Sequence, residues 1–305
     1  MMSNIITKFL LKIFDKNKYN TYKYNERLQR SLNSYNKDVK GEILKIDQVL
    51  KNKKIINFLH SGHLGDIIYS LPLIKEISKD KECNLFIQVN KKMELYYHNH
   101  PSGNVMINKK TADLFIPLLQ AQPYISSACI HNNENIDIDL NLFRSMPFNL
   151  IFHSMRWYSH LTGTPINMQD KFLEIKTNEN FKNKIIIVRS PRYRNQYINY
   201  KFLENTQNIV CVGLTTEYEE LKNDIKHLEF HDCKDFLEMA EIINSGKFFI
   251  GNLGFAFSIA EGLKKPRLLE ACPDFPVIFP LGANAYDFYH QIHFEKYFKN
   301  LNNIN

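Results

Sequence analysis

The chain has 305 residues, 44% hydrophobic and 23% charged, and carries a net charge of +7. That length suits two small domains, and the composition is globular, neither fibrous nor disordered. No run reaches the ~18 apolar residues of a membrane span. The charge sits in one place: residues 1–54 hold 13 Lys and Arg against 5 Asp and Glu, the rest 26 against 27. A neutral body argues against nucleic acid as a partner.

The five cysteines are spread out, with no CxxC pair, and read as reduced thiols of a cytoplasmic protein. Residues 1–53 form a basic arm. Ile5, Ile6, Phe9, Leu10, Ile13 and Phe14 recur at helical spacing, with Lys8 and Lys12 opposite. Nothing there predicts a signal peptide. Two readings stay open for residues 1–40: adhesion to an anionic membrane surface, or a helix packed on the body with a polar linker behind it.

The body opens with a strand over 55–59, a glycine turn at Ser61-Gly62-His63-Leu64-Gly65, a helix over 66–79 and a strand over 84–89. That is the unit of a parallel sheet. A helix over 111–122 and a strand over 127–131 follow. The grammar restarts after residues 165–180: strands over 184–188 and 208–212, a helix over 235–244, a strand over 248–250 and a helix over 255–263. The expected division is a first Rossmann-like domain over 54–170, a second over 171–290 and a tail over 291–305.

Four motifs sit at strand ends. Gly62, His63, Gly65 and Asp66 join a strand to a helix, where Asp66 suits either a helix cap or a base taking a proton from an acceptor hydroxyl. Gly251-Asn252-Leu253-Gly254 occupies the equivalent place in the second half, with Asn252 as N-cap and helix N–H groups turned to a diphosphate. Arg189, Arg192 and Arg194 leave one strand end together and suit phosphate. Gly213 precedes Glu217, an acid suited to ribose hydroxyls or to capping its own helix. GxGxxG, Gly-Lys-Ser/Thr, GxSxG and HExxH are all absent, which excludes the corresponding dinucleotide, P-loop, hydrolase and metalloprotease sites. No metal site is expected.

Together these motifs resemble the heptosyltransferase-like bacterial glycosyltransferases. The first signature is Leu64-Gly65-Asp66 with Pro72 in the helix behind it. The second is Gly251 to Gly254, followed by Phe257-Ser258-Ile259-Ala260 and Lys265-Pro266. The resemblance spans residues 55–295. It implies a GT-B fold, two Rossmann-like domains facing across a cleft, and metal-independent inverting transfer from a nucleotide-sugar donor to a glycan or lipid-linked acceptor. It further implies no cofactor, Asp66 as general base, the 251–254 turn on the donor diphosphate, an arginine of the 189–194 loop on the leaving group, and Glu217 at the ribose. The protein would work in the cytoplasm, peripherally at the inner face of the membrane. The sequence departs from the family pattern at Asn252 (an acid), Leu253 (Ser/Thr) and Phe257 (His). The alternative is therefore a catalytically degenerate nucleotide-sugar or glycan-binding protein.

Overall fold

The computed structural model describes residues 2–93, 102–147 and 150–303. The arm is helical throughout: α1 (Met2–Phe14), α2 (Lys16–Ser34), a π-helical turn (Tyr35–Val39) and α3 (Lys40–Asn52). Asp15 separates α1 from α2 and caps α2 by accepting from the Lys18 N–H at 3.0 Å. Val39 and Ile46 are the residues that bury the arm into the body. Ser31 adds a hydrogen bond to the Pro147 carbonyl at 2.9 Å. The packed-helix reading of residues 1–40 does not describe α1, whose apolar residues face outward, and the stretch behind it is helix and not linker; the helix packed on the body is α3, which the sequence reading did not single out.

The first half runs β1 (Ile55–His60), α4 (Leu64–Ile77), β2 (Glu82–Ile87), α5 (Lys109–Gln120), β3 (Ser127–Ile130) and β4 (Ile138–Asp139). A 3₁₀ segment (Leu140–Ser145) and α6 (Met155–Thr162) follow. Its strands form a parallel sheet of order β3-β2-β1-β4, with Phe58 opposite Leu85 on one side and Ile138 on the other.

The second half runs β5 (Ile185–Val188), β6 (Ile209–Cys211), α7 (Thr215–Lys222), β7 (Glu229–Phe230), α8 (Phe236–Ser245) and β8 (Phe248–Asn252). It continues through α9 (Phe255–Leu263), β9 (Arg267–Glu270), β10 (Ala285–Phe288) and α10 (Gln291–Asn302). The sheet order is β10-β9-β8-β5-β6-β7, again parallel.

Both faces of this second sheet are covered, which is why its strands read as continuous apolar runs. Alternate residues of β5 enter two cores: Ile186 and Val188 join one, Ile185 and Ile187 the other. The first core crosses between the halves, uniting Ile67, Leu71 and Phe115 with Ala240, Ile243, Phe257 and Ile259. Each of the Ile, Leu and Phe side chains among them contributes about 1.5–3 kcal/mol by leaving water. The second core holds Phe294, Phe298 and Leu301 of α10. Residues 291–302 are thus not the tail expected from sequence; their helical apolar spacing buries them against the sheet.

Candidate functional site

An open parallel sheet binds ligands where its strand order reverses, outside the carboxyl ends of the strands flanking the reversal. In the first sheet β2 and β3 lie to one side of β1 and β4 to the other. In the second, β6 and β7 lie to one side of β5, and β8, β9 and β10 to the other. The two reversals fall at the ends of β1 and β4, and of β5 and β8. The 60–66 turn, the 189–194 loop and the 251–254 turn stand at those ends.

The first turn is built from the inside outward. His60 and Ser61 are fully buried. The Gly62 N–H donates to His60 Nδ1 at 2.9 Å, so that nitrogen carries no proton. His60 Nε2 therefore donates to the Tyr158 hydroxyl at 2.9 Å, and Tyr158 donates in turn to the Asp66 carbonyl at 2.8 Å. Burial keeps this imidazole neutral, lowering its pKa to about 3. From the β4 side, Asn141 accepts the Ser61 N–H at 3.0 Å and is itself held by Asp139. Gly62 has to be glycine: a Cβ would come within 2.7 Å of the His60 ring and 3.0 Å of the Asp66 carboxylate.

Asp66 does not cap α4. The N-cap is His63, and Asp66 stands three residues later in the first turn. One of its carboxylate oxygens takes a 2.5 Å bond from Arg144. Arg144 lies over the Phe143 ring at 4.6 Å, which fixes its approach. Arg144 and Tyr158 were missed from sequence, and His60, which opens the motif, was given no role. The first two lie 78 to 98 residues from their partners at this turn, and no local spacing signals them.

The second-half residues divide into those near the cleft and those with structural duties. Arg189 is committed to a buried ion pair. Its guanidinium makes two bonds to the buried Glu270, at 2.8 and 2.9 Å, and lies over the Tyr200 ring. Arg194 is likewise committed, to Glu220 and to the carbonyls of Ser190 and Arg189. Arg192 lies over the Tyr193 ring at 5.3 Å. Glu217 is buried, and its carboxylate accepts the Leu214 N–H at 2.9 Å, closing the start of α7, as the capping reading expects. Burial raises its pKa. The close approach of that carboxylate also leaves Gly213 no room for a side chain.

Asn252 is not the N-cap of α9 either, because β8 runs through it and the cap is Gly254. Asn252 instead staples the arginine loop. Its Oδ1 accepts the Ser190 N–H at 2.8 Å, and its Nδ2 donates to the carbonyls of Ser190 and Arg192 at 2.9 and 2.6 Å. A carboxylate could only accept, so the amide is what this loop requires. Gly251 packs so closely on Phe249 and the Val188 carbonyl that a Cβ would lie 2.7–2.8 Å from them. Leu253 is half-buried against the core, and Phe257 is buried within it.

The halves meet at α4 and α9. An added Cβ on Gly65 would lie 3.9 Å from Ser258 Oγ, and Gly254 faces the Ser190 side chain at the same distance. His63 stands between the loops. Burial, with help from Arg192 and Arg144, lowers its pKa, and Asp66 pulls the other way. A carboxylate from one half and a guanidinium from the other thus act on one imidazole.

Among the described residues, His231, Cys233 and Glu238 offer the one potential metal-ligating group, their atoms within 4.8 Å. It follows β7 at the sheet edge, away from the reversal. Burial raises Cys233 to about 12. The sequence signal for it is His231-x-Cys233 with Glu238 five residues further on.

No family model matches the chain, and no curated protein sequence does. Solved structures do. The Escherichia coli ADP-heptose lps heptosyltransferase II superposes with a TM-score of 0.55 at 12% identity, covering 82% of this chain and 98% of that one. The E. coli heptosyltransferase WaaC with ADP gives 0.53 at 8% identity, covering 81% and 99%. A Veillonella parvula glycosyl transferase of family 9 gives 0.50 at 11% identity, covering 87% and 92%. At these identities the likeness is one of architecture, and on it the chain has the GT-B fold of the heptosyltransferase-like glycosyltransferases.

Proposed function

We propose that the protein is a metal-independent, inverting glycosyltransferase. It moves a sugar from a nucleoside-diphosphate sugar to a hydroxyl of a glycan or lipid-linked acceptor, in the cytoplasm or peripherally at the inner face of the membrane. The observation that carries this reading is the convergence of Asp66 with the Arg192 loop and the start of α9, at two strand-order reversals facing each other.

Asp66 takes the acceptor proton as the hydroxyl oxygen attacks the anomeric carbon. Arg144 holds one carboxylate oxygen and so orients the other. The bond from the anomeric carbon to the diphosphate breaks on the opposite face, and its electron pair leaves with the nucleoside diphosphate. Arg192 and the first N–H groups of α9 receive that charge. Gly254 at the N-cap has no side chain to compete for those groups.

A second reading draws support from the ion pairs that occupy Arg189 and Arg194: a protein that binds a nucleotide sugar without transferring it. The test is nucleoside-diphosphate release from ADP-, GDP-, UDP- and CDP-sugars in the presence of a glycan and lipid extract, with EDTA. One donor is expected to turn over, and Asp66→Asn to lose about 10²–10⁴-fold while keeping nucleotide affinity. Wild-type turnover by Asp66→Asn rules out the base. Binding without release selects the second reading, and loss of turnover in EDTA rules out metal independence.

A further inference from the structure

The α1 helix is mounted inside out. In a surface helix of a globular protein, the apolar stripe faces the core and the charges face water. Here Ile5, Ile6, Phe9, Leu10, Ile13 and Phe14 are 47–79% exposed. The side turned to α2 is polar: Lys8 bonds Glu26 at 2.6 Å and lies over the Tyr22 ring at 5.9 Å, and Arg30 holds the same Glu26 at 2.9 Å. Six large apolar side chains on one short helix exceed the scattered exposure normal for a soluble surface.

The α2 helix supplies a matching charge. It buries no residue. Lys23, Arg27 and Arg30, four and three residues apart, line a groove of about 490 Å³ with Tyr24, Asn20 and Glu26. Glu26 also touches Lys8, so the groove runs beside α1. Lys23 lies over Tyr19 and Arg27 over Tyr24, and these aromatic rings hold the cationic heads in place.

We infer that α1 and α2 form a docking device for an anionic lipid bilayer, with the α1 face entering the acyl boundary and the α2 stripe meeting phosphate headgroups. The charge distribution selects this occupant over a second copy of the chain. Two arms of 12 basic and 5 acidic residues repel one another, whereas an anionic surface attracts each. The device is fastened to the first half, through Ser31 on Pro147 and through Ile46 of α3, close to the segment that carries Arg144. Docking therefore brings the Asp66 half, where the acceptor would bind, to the lipid surface. This deepens the reading of a peripheral enzyme and rests on it only for the acceptor; vesicle binding is read without turnover, so the two can fail separately.

The test is co-sedimentation of the full chain with vesicles of phosphatidylcholine alone and of phosphatidylcholine with phosphatidylglycerol. Binding is expected to the anionic vesicles only and to weaken as salt rises. The triple variant Phe9→Ser, Ile13→Ser, Phe14→Ser and, separately, Lys23→Gln, Arg27→Gln, Arg30→Gln should each lose at least ~10-fold in partition. Both sets are solvent-exposed or line an open groove, so circular dichroism should show an unchanged fold. A full chain that stays in the supernatant with anionic vesicles overturns the inference, as does equal binding by the serine variant. A concentration-dependent dimer in sedimentation velocity that the serine variant abolishes would assign the face to a second copy instead.

Discussion

At the residue scale, Asn252 and Glu270 decide how the loops of the proposed donor side are built. Asn252 stands where the resembled family has an acid, yet its Nδ2 donates to two loop carbonyls. Asn252→Asp would turn a carboxylate on those carbonyls and leave them without a donor. It is expected to cost about 1–3 kcal/mol in urea denaturation and to weaken nucleotide binding. Gain of stability or affinity in that variant would show that the departure is a defect and not an adaptation.

Glu270 is fully buried and accepts from Arg189, the Asn195 N–H and the Tyr200 hydroxyl. Glu270→Gln keeps the shape, removes the charge and leaves the Arg189 guanidinium largely unmatched. A loss of about 3–5 kcal/mol is expected, as for other broken buried pairs. A loss below ~1 kcal/mol would mean Arg189 is available to a ligand after all. Arg189 looked like a phosphate ligand in the sequence because its loop carries three arginines. The balancing signal was Arg267-Leu-Leu-Glu270, where charges bracket an apolar strand and so demand buried partners.

At the scale of elements, the strands and turns were legible because β-branched runs ending in glycine have few alternatives. The strand expected over 184–188 is β5 at Ile185–Val188, and the glycine turns stand at the ends of β1 and β8. The error at Asn252 came from ending β8 two residues early, which turned a strand residue into a helix cap. The 60–66 turn was legible as a turn but not as a network, because His60, Asn141, Arg144 and Tyr158 come from three separate elements.

That network carries a pH dependence. Burial lowers His60 to about 3 and, outside the network, lowers His153, buried just before α6 beside the Tyr69 ring, to about 4, against an ordinary value of 6.5. As pH falls, the unfolded chain takes up these protons before the folded one does. The contribution to stability is therefore complete above pH 6.5 and is lost progressively from there down to the folded-state values of about 4 and about 3. Denaturation midpoints should fall over that window, and His60→Gln should fall less steeply than the wild type. Parallel curves for the two proteins would remove His60 from the account.

For the whole molecule, the sequence foretold two α/β halves but not how they meet. The meeting depends on α4 and α9, whose apolar residues read equally well as packing on their own sheets. In the folded chain Ile67, Leu71, Phe257 and Ile259 share one core, so the loops above them are held face to face. The α10 helix was missed because its buried face is only three positions, Phe294, Phe298 and Leu301, in a polar stretch near residue 305.

The central claim is that the two facing turns make a nucleotide-sugar site. Its most direct test is the melting temperature of the purified protein, in EDTA, with ADP, GDP, UDP or CDP at about 100 times a fitted dissociation constant. One nucleotide should stabilise the wild type by about 2.7 kcal/mol, a shift of a few degrees. The same nucleotide should act much less on Arg192→Ala. No shift with any of the four at millimolar concentration, or an equal shift in Arg192→Ala, would contradict the assignment of the site.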